Sequence, residues 1–252
     1  MYIEALNSMK TYPKNLSFCG NQELLKRTKV SIVGTRKPAK YAKEMTHKLS
    51  YELSKAGICI VSGGAMGVDA IAHRGAGAEN TIAVLPCGID IKYPAVNKNL
   101  LTEIGQRGLL ISQFENSFRA APWSFVVRNE LVVALGDILI VTEADLGSGS
   151  MRSVEFALKM GKEIYVLPHR VGESMATNKL LETQKAKAIY DLESFVNMLA
   201  PQEKQVQIQD DFLEFCKTNP SYEEALQKFP SRVFEAELSG EIEVKNATIY
   251  LA

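Results

Sequence analysis

Glycines and hydroxyls cluster at four points of this 252-residue chain: Gly34-Thr35-Arg36, Ser62-Gly63-Gly64, Pro86-Cys87-Gly88, and the run Glu143-Ala144-Asp145-Leu146-Gly147-Ser148-Gly149-Ser150. Glycines let backbone N–H groups approach an anion, helix N-termini add positive potential, and serine or threonine hydroxyls complete a cradle. Arg36, Lys37 and Arg152 stand beside these turns. The chemistry they suit is the holding of phosphate. G-x-G-x-x-G, G-x-x-x-x-G-K-[ST] and G-x-S-x-G are all absent, so the common dinucleotide, triphosphate and hydrolase fingerprints do not apply.

A second feature is the apolar segment Trp123 to Leu135, interrupted by Ser124 and by Arg128-Asn129-Glu130. Such a helix is expected to be buried, and its charged turn then needs a partner. Two partners stay open for Arg128: a ligand phosphate, or a core carboxylate such as Glu130 or Glu143. Phe125 fits either core packing or a stack against a base. Asp69 and His73, four apart, fit a helix hydrogen bond better than a catalytic pair, and Asp69 could instead shape the Ser62-Gly63-Gly64 turn. Four cysteines without a C-x-x-C pair and three histidines make a Cys/His metal site improbable, and Cys59, inside Ile58-Cys59-Ile60-Val61, reads as a buried small hydrophobe. No metal and no cofactor are expected.

These residues need elements to position them. Apolar runs at Val30–Val33, Ile58–Val61, Thr81–Leu85, Leu109–Ser112, Asp137–Thr142 and Glu163–Leu167 read as six strands. Between them lie expected helices: one with Tyr41, Met45, Leu49 and Leu53 on one face, then Ala65–Ala76, Lys98–Gln106, Trp123–Leu135 and Met151–Met160. Strands alternating with helices specify an α/β chain with a mostly parallel, doubly wound sheet. In such sheets ligands sit at the carboxyl ends of the strands, where the glycine-rich turns fall.

Lys+Arg and Asp+Glu number 29 each, so overall charge cannot draw this chain to nucleic acid or membrane, and a local patch is required. The charge is unevenly spread. Residues 206–252 hold nine acids and four bases, a balance of −5, and the rest of the chain is +5. Ala200-Pro201-Gln202-Glu203-Lys204-Gln205 reads as the linker between two domains, 29–200 and 206–252, preceded by an extension over 1–28. The chain has no basic-then-apolar leader and no apolar run near the ~20 residues that span a bilayer, so a reduced, cytoplasmic setting without membrane contact is expected.

Taken in order, the motifs resemble the DNA-processing protein A (DprA, also called Smf) family of bacterial transformation. The resemblance rests on Val33-Gly34-Thr35-Arg36, on Ser62-Gly63-Gly64-Ala65-Met66-Gly67-Val68-Asp69 with Ala72-His73, and on Thr81 through Asp90 with Tyr93-Pro94 and Asn97. Phe125, Arg128-Asn129, Glu143-Ala144, Ser148-Gly149-Ser150, Val166-Leu167-Pro168, Ser174 and Asn178 extend it. It implies an extended Rossmann-like domain that dimerises, binds single-stranded DNA, and loads the RecA recombinase while displacing single-strand-binding protein, without enzymatic activity. By position it makes Arg36 and Ser62-Gly63-Gly64 phosphate contacts, and Phe125, Arg128 and Asn129 the loop that meets the nucleotide chain. Relatives often carry Arg at Met66 and Pro at Val126, so this chain departs there and its loop is expected to be more helical. Residues 1–28 resemble the stretch that connects to this domain in relatives.

Two further expectations follow. Glu155, after Ser148-Gly149-Ser150, could imitate the catalytic glutamate of nucleoside-monophosphate phosphoribohydrolases of the same superfold, although the P-G-G-x-G-T run of that group is absent and a solvated helix-surface Glu is the simpler reading. Residues 206–252 follow winged-helix order: three helices (Asp210–Lys217, Tyr222–Lys228, Ser231–Leu238, with Ser231 able to cap), then strands Ile242–Val244 and Thr248–Tyr250 around a turn at Asn246. The expected recognition helix carries Arg232 against Glu235 and Glu237, so a protein-contacting or dimer-supporting role is expected rather than DNA reading.

Overall fold

The computed structural model describes residues 2–200, 211–239, 242–245 and 247–251. The chain divides into two compact units, Met1–Pro201 and Gln202–Ala252. The expected linker beyond Ala200 and the turn residue Asn246 lie outside the described residues.

The first unit is an eight-stranded sheet wrapped by helices. Its elements are β1 (Ser17–Gly20), β2 (Lys29–Val33), α1 (Lys40–Lys55), β3 (Cys59–Ser62), α2 (Val68–Ala76), β4 (Thr81–Val84), α3 (Lys98–Arg107) and β5 (Leu109–Ser112). They continue as α4 (Pro122–Leu135), β6 (Ile138–Val141), α5 (Gly149–Lys159), β7 (Ile164–Val166), α6 (Met175–Glu182), β8 (Lys187–Ala188) and α7 (Leu192–Leu199). The strand order is β1-β5-β4-β3-β2-β6-β7-β8, all parallel except β1. The chain therefore winds outward from β2 in one direction as far as β5, then returns to place β6 on the other flank of β2. That reversal leaves a crevice at the carboxyl ends of β2 and β6.

Strand alternation supplies two core layers. Cys59, Val61, Leu139 and Val141 face α4 and α5, whereas Ile58, Ile60, Ile138 and Ile140 face α1, α2 and α7. The six expected strands are present, and two edge strands join them. β1 is half exposed and β8 is two residues long with Lys187 at the surface, so neither carries an apolar run. The expected extension over 1–28 is part of this unit: Ile3, Leu6, Met9 and Leu24 are buried in the core, and β1 pairs with β5.

Three local expectations need correction. Tyr41 is exposed, and the buried face of α1 is Ala42, Thr46, Leu49, Ser50 and Leu53, because α2 crosses so closely that a Cβ on Gly75 would lie 2.5 Å from the His47 carbonyl oxygen. Helix α2 starts at Val68 rather than Ala65, since Gly67 takes φ +78° to bring its backbone against Thr35 and Arg36. Helix α4 is not buried throughout: Ser124, Arg128 and Leu131 to Leu135 are buried, whereas Trp123, Val126 and Val127 reach solvent. Val126 sits inside that helix, as expected from the missing proline.

The second unit contains α8 (Asp211–Cys216), α9 (Tyr222–Lys228), α10 (Pro230–Ser239) and the antiparallel pair β9 (Ile242–Lys245) and β10 (Thr248–Leu251). Phe212, Cys216, Ala225, Val233, Ala236, Ile242 and Ile249 form its own core. Helix α10 begins at Pro230, which places Ser231 within the helix. Among the described residues no helix is long and apolar enough to cross a membrane.

Candidate functional site

The crevice at the ends of β2 and β6 opens into a cavity of about 630 Å³. One wall is the turn after β2. Thr35 N donates to the Glu143 carbonyl at 2.9 Å and Val68 N to the Thr35 carbonyl at 3.1 Å, so β6 and α2 clamp this turn from both sides. Gly67 makes the approach feasible, because a Cβ there would lie 2.4 Å from the Thr35 carbonyl oxygen. The clamp aims Arg36, which is exposed, over the half-buried ring of Phe125, with the guanidinium carbon 5.2 Å from the ring centroid. Lys37 is exposed next to it and is not part of the cavity wall.

Helix α4 forms the second wall. Phe125 has two cations near its ring: Arg36, and Arg128, whose guanidinium carbon is 6.0 Å from the same ring centroid. Tyr93 meets it edge-on at 5.9 Å. Arg128 is 4% exposed, donates from Nη1 to the Val84 carbonyl at 3.1 Å, and stands 3.9 Å from Asp69 Oδ2. Its protein partner is thus Asp69, neither Glu130 nor Glu143; those two accept from the backbone N–H groups of Lys10 and Ala39. Gly63 explains how the guanidinium fits, since a Cβ there would sit 1.6 Å from Nη1. Burial pushes the Asp69 carboxyl up against the opposing pull of Arg128, and burial likewise pulls the Arg128 guanidinium down.

The third wall is the N-terminus of α5. Ser148, Gly149 and Ser150 line the cavity beside Arg152 and Ser153, and Asn129 Nδ2 lies 3.5 Å from the Gly149 carbonyl. The hydroxyls of Ser148 and Ser153 are buried without a hydrogen-bond partner among the described residues. Free hydroxyls beside a helix N-terminus are what an anion would satisfy. Arg152 donates to Glu155 Oε2 at 2.9 Å, on a surface where both side chains are at least half exposed. Glu155 is not part of the cavity wall.

The structure therefore gathers Arg36, Gly63, Phe125, Arg128, Asn129, Ser148, Gly149, Ser150 and Arg152 around one space. Ser62 and Gly64 stand behind it: the Ser62 hydroxyl donates to the Ile32 carbonyl at 2.7 Å, and the Gly64 carbonyl accepts from Asn97 Nδ2 at 3.0 Å. Asp69 and His73 do not pair. His73 Nδ1 meets Thr81 Oγ1 at 2.6 Å, and burial together with Arg128 pulls its imidazole down to about 3. Asp69 also accepts from Ala65 N at 3.3 Å, so it holds the turn after β3 as well as Arg128. Sequence reasoning missed Ser153; its signal was the spacing of three from Ser150, which puts both on one helix face.

Residues 1–200 match the family model described as DNA recombination-mediator protein A. The chain belongs to that family. Among solved structures of family members, the Helicobacter pylori DNA processing protein A, described for its single-stranded DNA binding mode, is 44% identical with a TM-score of 0.77, over 79% of this chain and 93% of that one. The Bacillus subtilis DNA processing protein DprA is 31% identical over 82% of this chain and 70% of its own length. The Synechocystis protein Smf is 36% identical over 56% of this chain, and the match spans 36% of that relative's length. The mostly parallel α/β sheet expected from the strand pattern is the fold of this family.

Proposed function

We propose that the chain binds single-stranded DNA without sequence preference in the cavity between β2, α4 and α5, and loads the RecA recombinase onto it during natural transformation. The observation that carries this reading is the stack of Arg36 over Phe125 at the mouth of a glycine- and serine-lined cavity. A cation supplies backbone attraction and an aromatic ring supplies stacking that every base satisfies, a combination that binds single strands and reads no sequence. The Helicobacter pylori relative's described DNA binding mode supports the same partner.

Arg36 and Lys37 act as phosphate contacts, and Phe125 and Asn129 meet the nucleotide chain. Ser148, Gly149, Ser150 and Arg152 close the far side. Ser62 and Gly64 serve by shaping the turn that carries Gly63. The protein works as a cytoplasmic homodimer, which doubles the site on one strand and raises effective concentration. It displaces single-strand-binding protein, and the acidic module over 206–252 contacts protein partners rather than DNA. The role is that of a binding and loading protein, not an enzyme.

The test is binding of labelled oligonucleotides of mixed sequence, single-stranded and duplex, across a salt series. Single strands should bind tighter than duplex, with log affinity falling by about 0.7 per phosphate neutralised for each log unit of salt. Equal affinity for duplex, or no salt dependence, would sink the reading.

A further inference from the structure

Strand β5 ends at the same edge of the sheet as β2 and β3, and the segment after it brings a second group of aromatics to that edge. Phe114 and Phe118 stack with centroids 4.8 Å apart and planes 12° apart. Trp123, in the first turn of α4, meets them at 5.8 and 5.5 Å in edge geometry. The loop is pinned: Phe114 N donates to Ser112 Oγ at 3.0 Å, Ser117 N to Asp90 Oδ1 at 3.0 Å, and Gly88 N to the Phe118 carbonyl at 2.9 Å. Trp123 is nonetheless 56% exposed. A large ring held firmly and left in solvent is positioned for a contact rather than for the core.

Helix α4 makes this group continuous with the cavity. Pro122 and Val126 both line the cavity, and Val126, 40% exposed, lies one turn from Trp123 on the same helix surface. Tyr12, Lys14, Phe18 and Phe114 line a neighbouring hollow of about 590 Å³. Lys14 and Arg119 are exposed and make no ion pair among the described residues, while Asp90 is engaged by Ser117 and Glu115 is the remaining acid of the loop.

We propose that Trp123, backed by Phe114 and Phe118, is a second stacking platform for the single strand, taking a base from the segment that leaves the cavity over Val126. The proposal rests on the reading of the cavity as a single-stranded DNA site. Lys14 lines the hollow beside Phe114, and the exposed Arg119 follows Phe118 in the chain. Rings with cations near them suit bases joined by phosphates, and a strand in the cavity passes this surface when it exits over Val126.

Trp123 is the chain's single tryptophan, so its emission reports on this surface alone. The full chain is titrated with end-labelled oligothymidylates of about 4 and about 16 nucleotides, with label anisotropy and tryptophan emission followed together. The long strand should quench Trp123 strongly and the short one weakly. Trp123→Ala should weaken the long strand about tenfold and leave the short one unchanged, whereas Trp123→Phe should retain most of the affinity. Anisotropy that reports binding of the long strand while tryptophan emission stays constant overturns the platform and leaves the cavity reading intact. Absence of any anisotropy change with either strand overturns the cavity reading itself. An emission change on concentrating the protein alone, with mass doubling in light scattering, assigns the surface to a second copy and also overturns the platform. Should Trp123→Ala fail to fold, the emission of the unsubstituted chain decides.

Discussion

Asp69 Oδ2 lies 3.9 Å from Arg128 Nη1, with the two side chains 11% and 4% exposed, and Gly63 passes over the pair with no Cβ to obstruct it. The pair neutralises Arg128 from within the protein. Arg152 is likewise engaged, by Glu155. Arg36 makes no ion pair among the described residues, so it is the cavity cation with the most charge to offer a phosphate. The Arg128 guanidinium packs beneath the turn at Gly63 and lies 6.0 Å from the ring of Phe125.

Asp69→Asn should therefore strand a buried guanidinium. A loss of about 3 kcal/mol of stability is expected, since removing one partner of a buried pair leaves the other charge uncompensated. Urea denaturation followed by circular dichroism measures it. Adding Arg128→Met to the same chain should recover part of the loss; a double variant less stable than Asp69→Asn would argue that Arg128 needs no partner.

Arg36→Ala should weaken single-stranded DNA of every sequence about tenfold, ~1.4 kcal/mol. It should also flatten the log–log salt slope by about 0.7, one phosphate's share. Fluorescence anisotropy at several salt concentrations reads both. A loss confined to one sequence would contradict a backbone role.

His73 gives the fold an acid limit. Its imidazole is pulled from an ordinary 6.5 down to about 3 by burial and by Arg128, so the unfolded chain takes up a proton that the folded chain refuses. A depressed folded value means stability that is present above pH 6.5 and lost as pH falls toward 3, at up to about 1.4 kcal/mol per pH unit. His73→Asn removes that component. The stability gap between the natural chain and this variant should narrow steadily below pH 6.5 in pH-dependent urea melts, and a constant gap would show that His73 is protonated in the folded state.

A chain ending at Pro201 should fold, because the first unit closes its own core. It should bind single-stranded DNA at least as tightly, since the residues removed carry a balance of −5. A soluble, folded truncation with tenfold weaker binding at low salt would instead give the acidic module a direct part in DNA binding.

The periodic elements were legible from residue types alone. β2 to β7 and helices α1 to α5 fall within a few residues of where apolar spacing puts them, because a strand buried on both faces must be an apolar run and an amphipathic helix must repeat every three to four residues. Glycine marked the turns after β2, β3 and β6 that line the cavity, and order along the chain carried the family resemblance. β1 and β8 escaped because edge strands need only backbone partners, and their side chains bear no pattern.

What tertiary structure alone decided is which of these residues meet. Ser62, Gly63 and Gly64 are consecutive, yet only Gly63 reaches the cavity, since backbone direction through a turn is set by what packs around it. Arg128 chose Asp69, 59 positions earlier, over the nearer Glu130 and Glu143, because the return of the chain from β5 to β6 lays α4 across the ends of β3 and β4. Sequence fixes a side chain's chemistry and its local period; the partner of a buried charge is set by sheet order, which brings distant residues within reach.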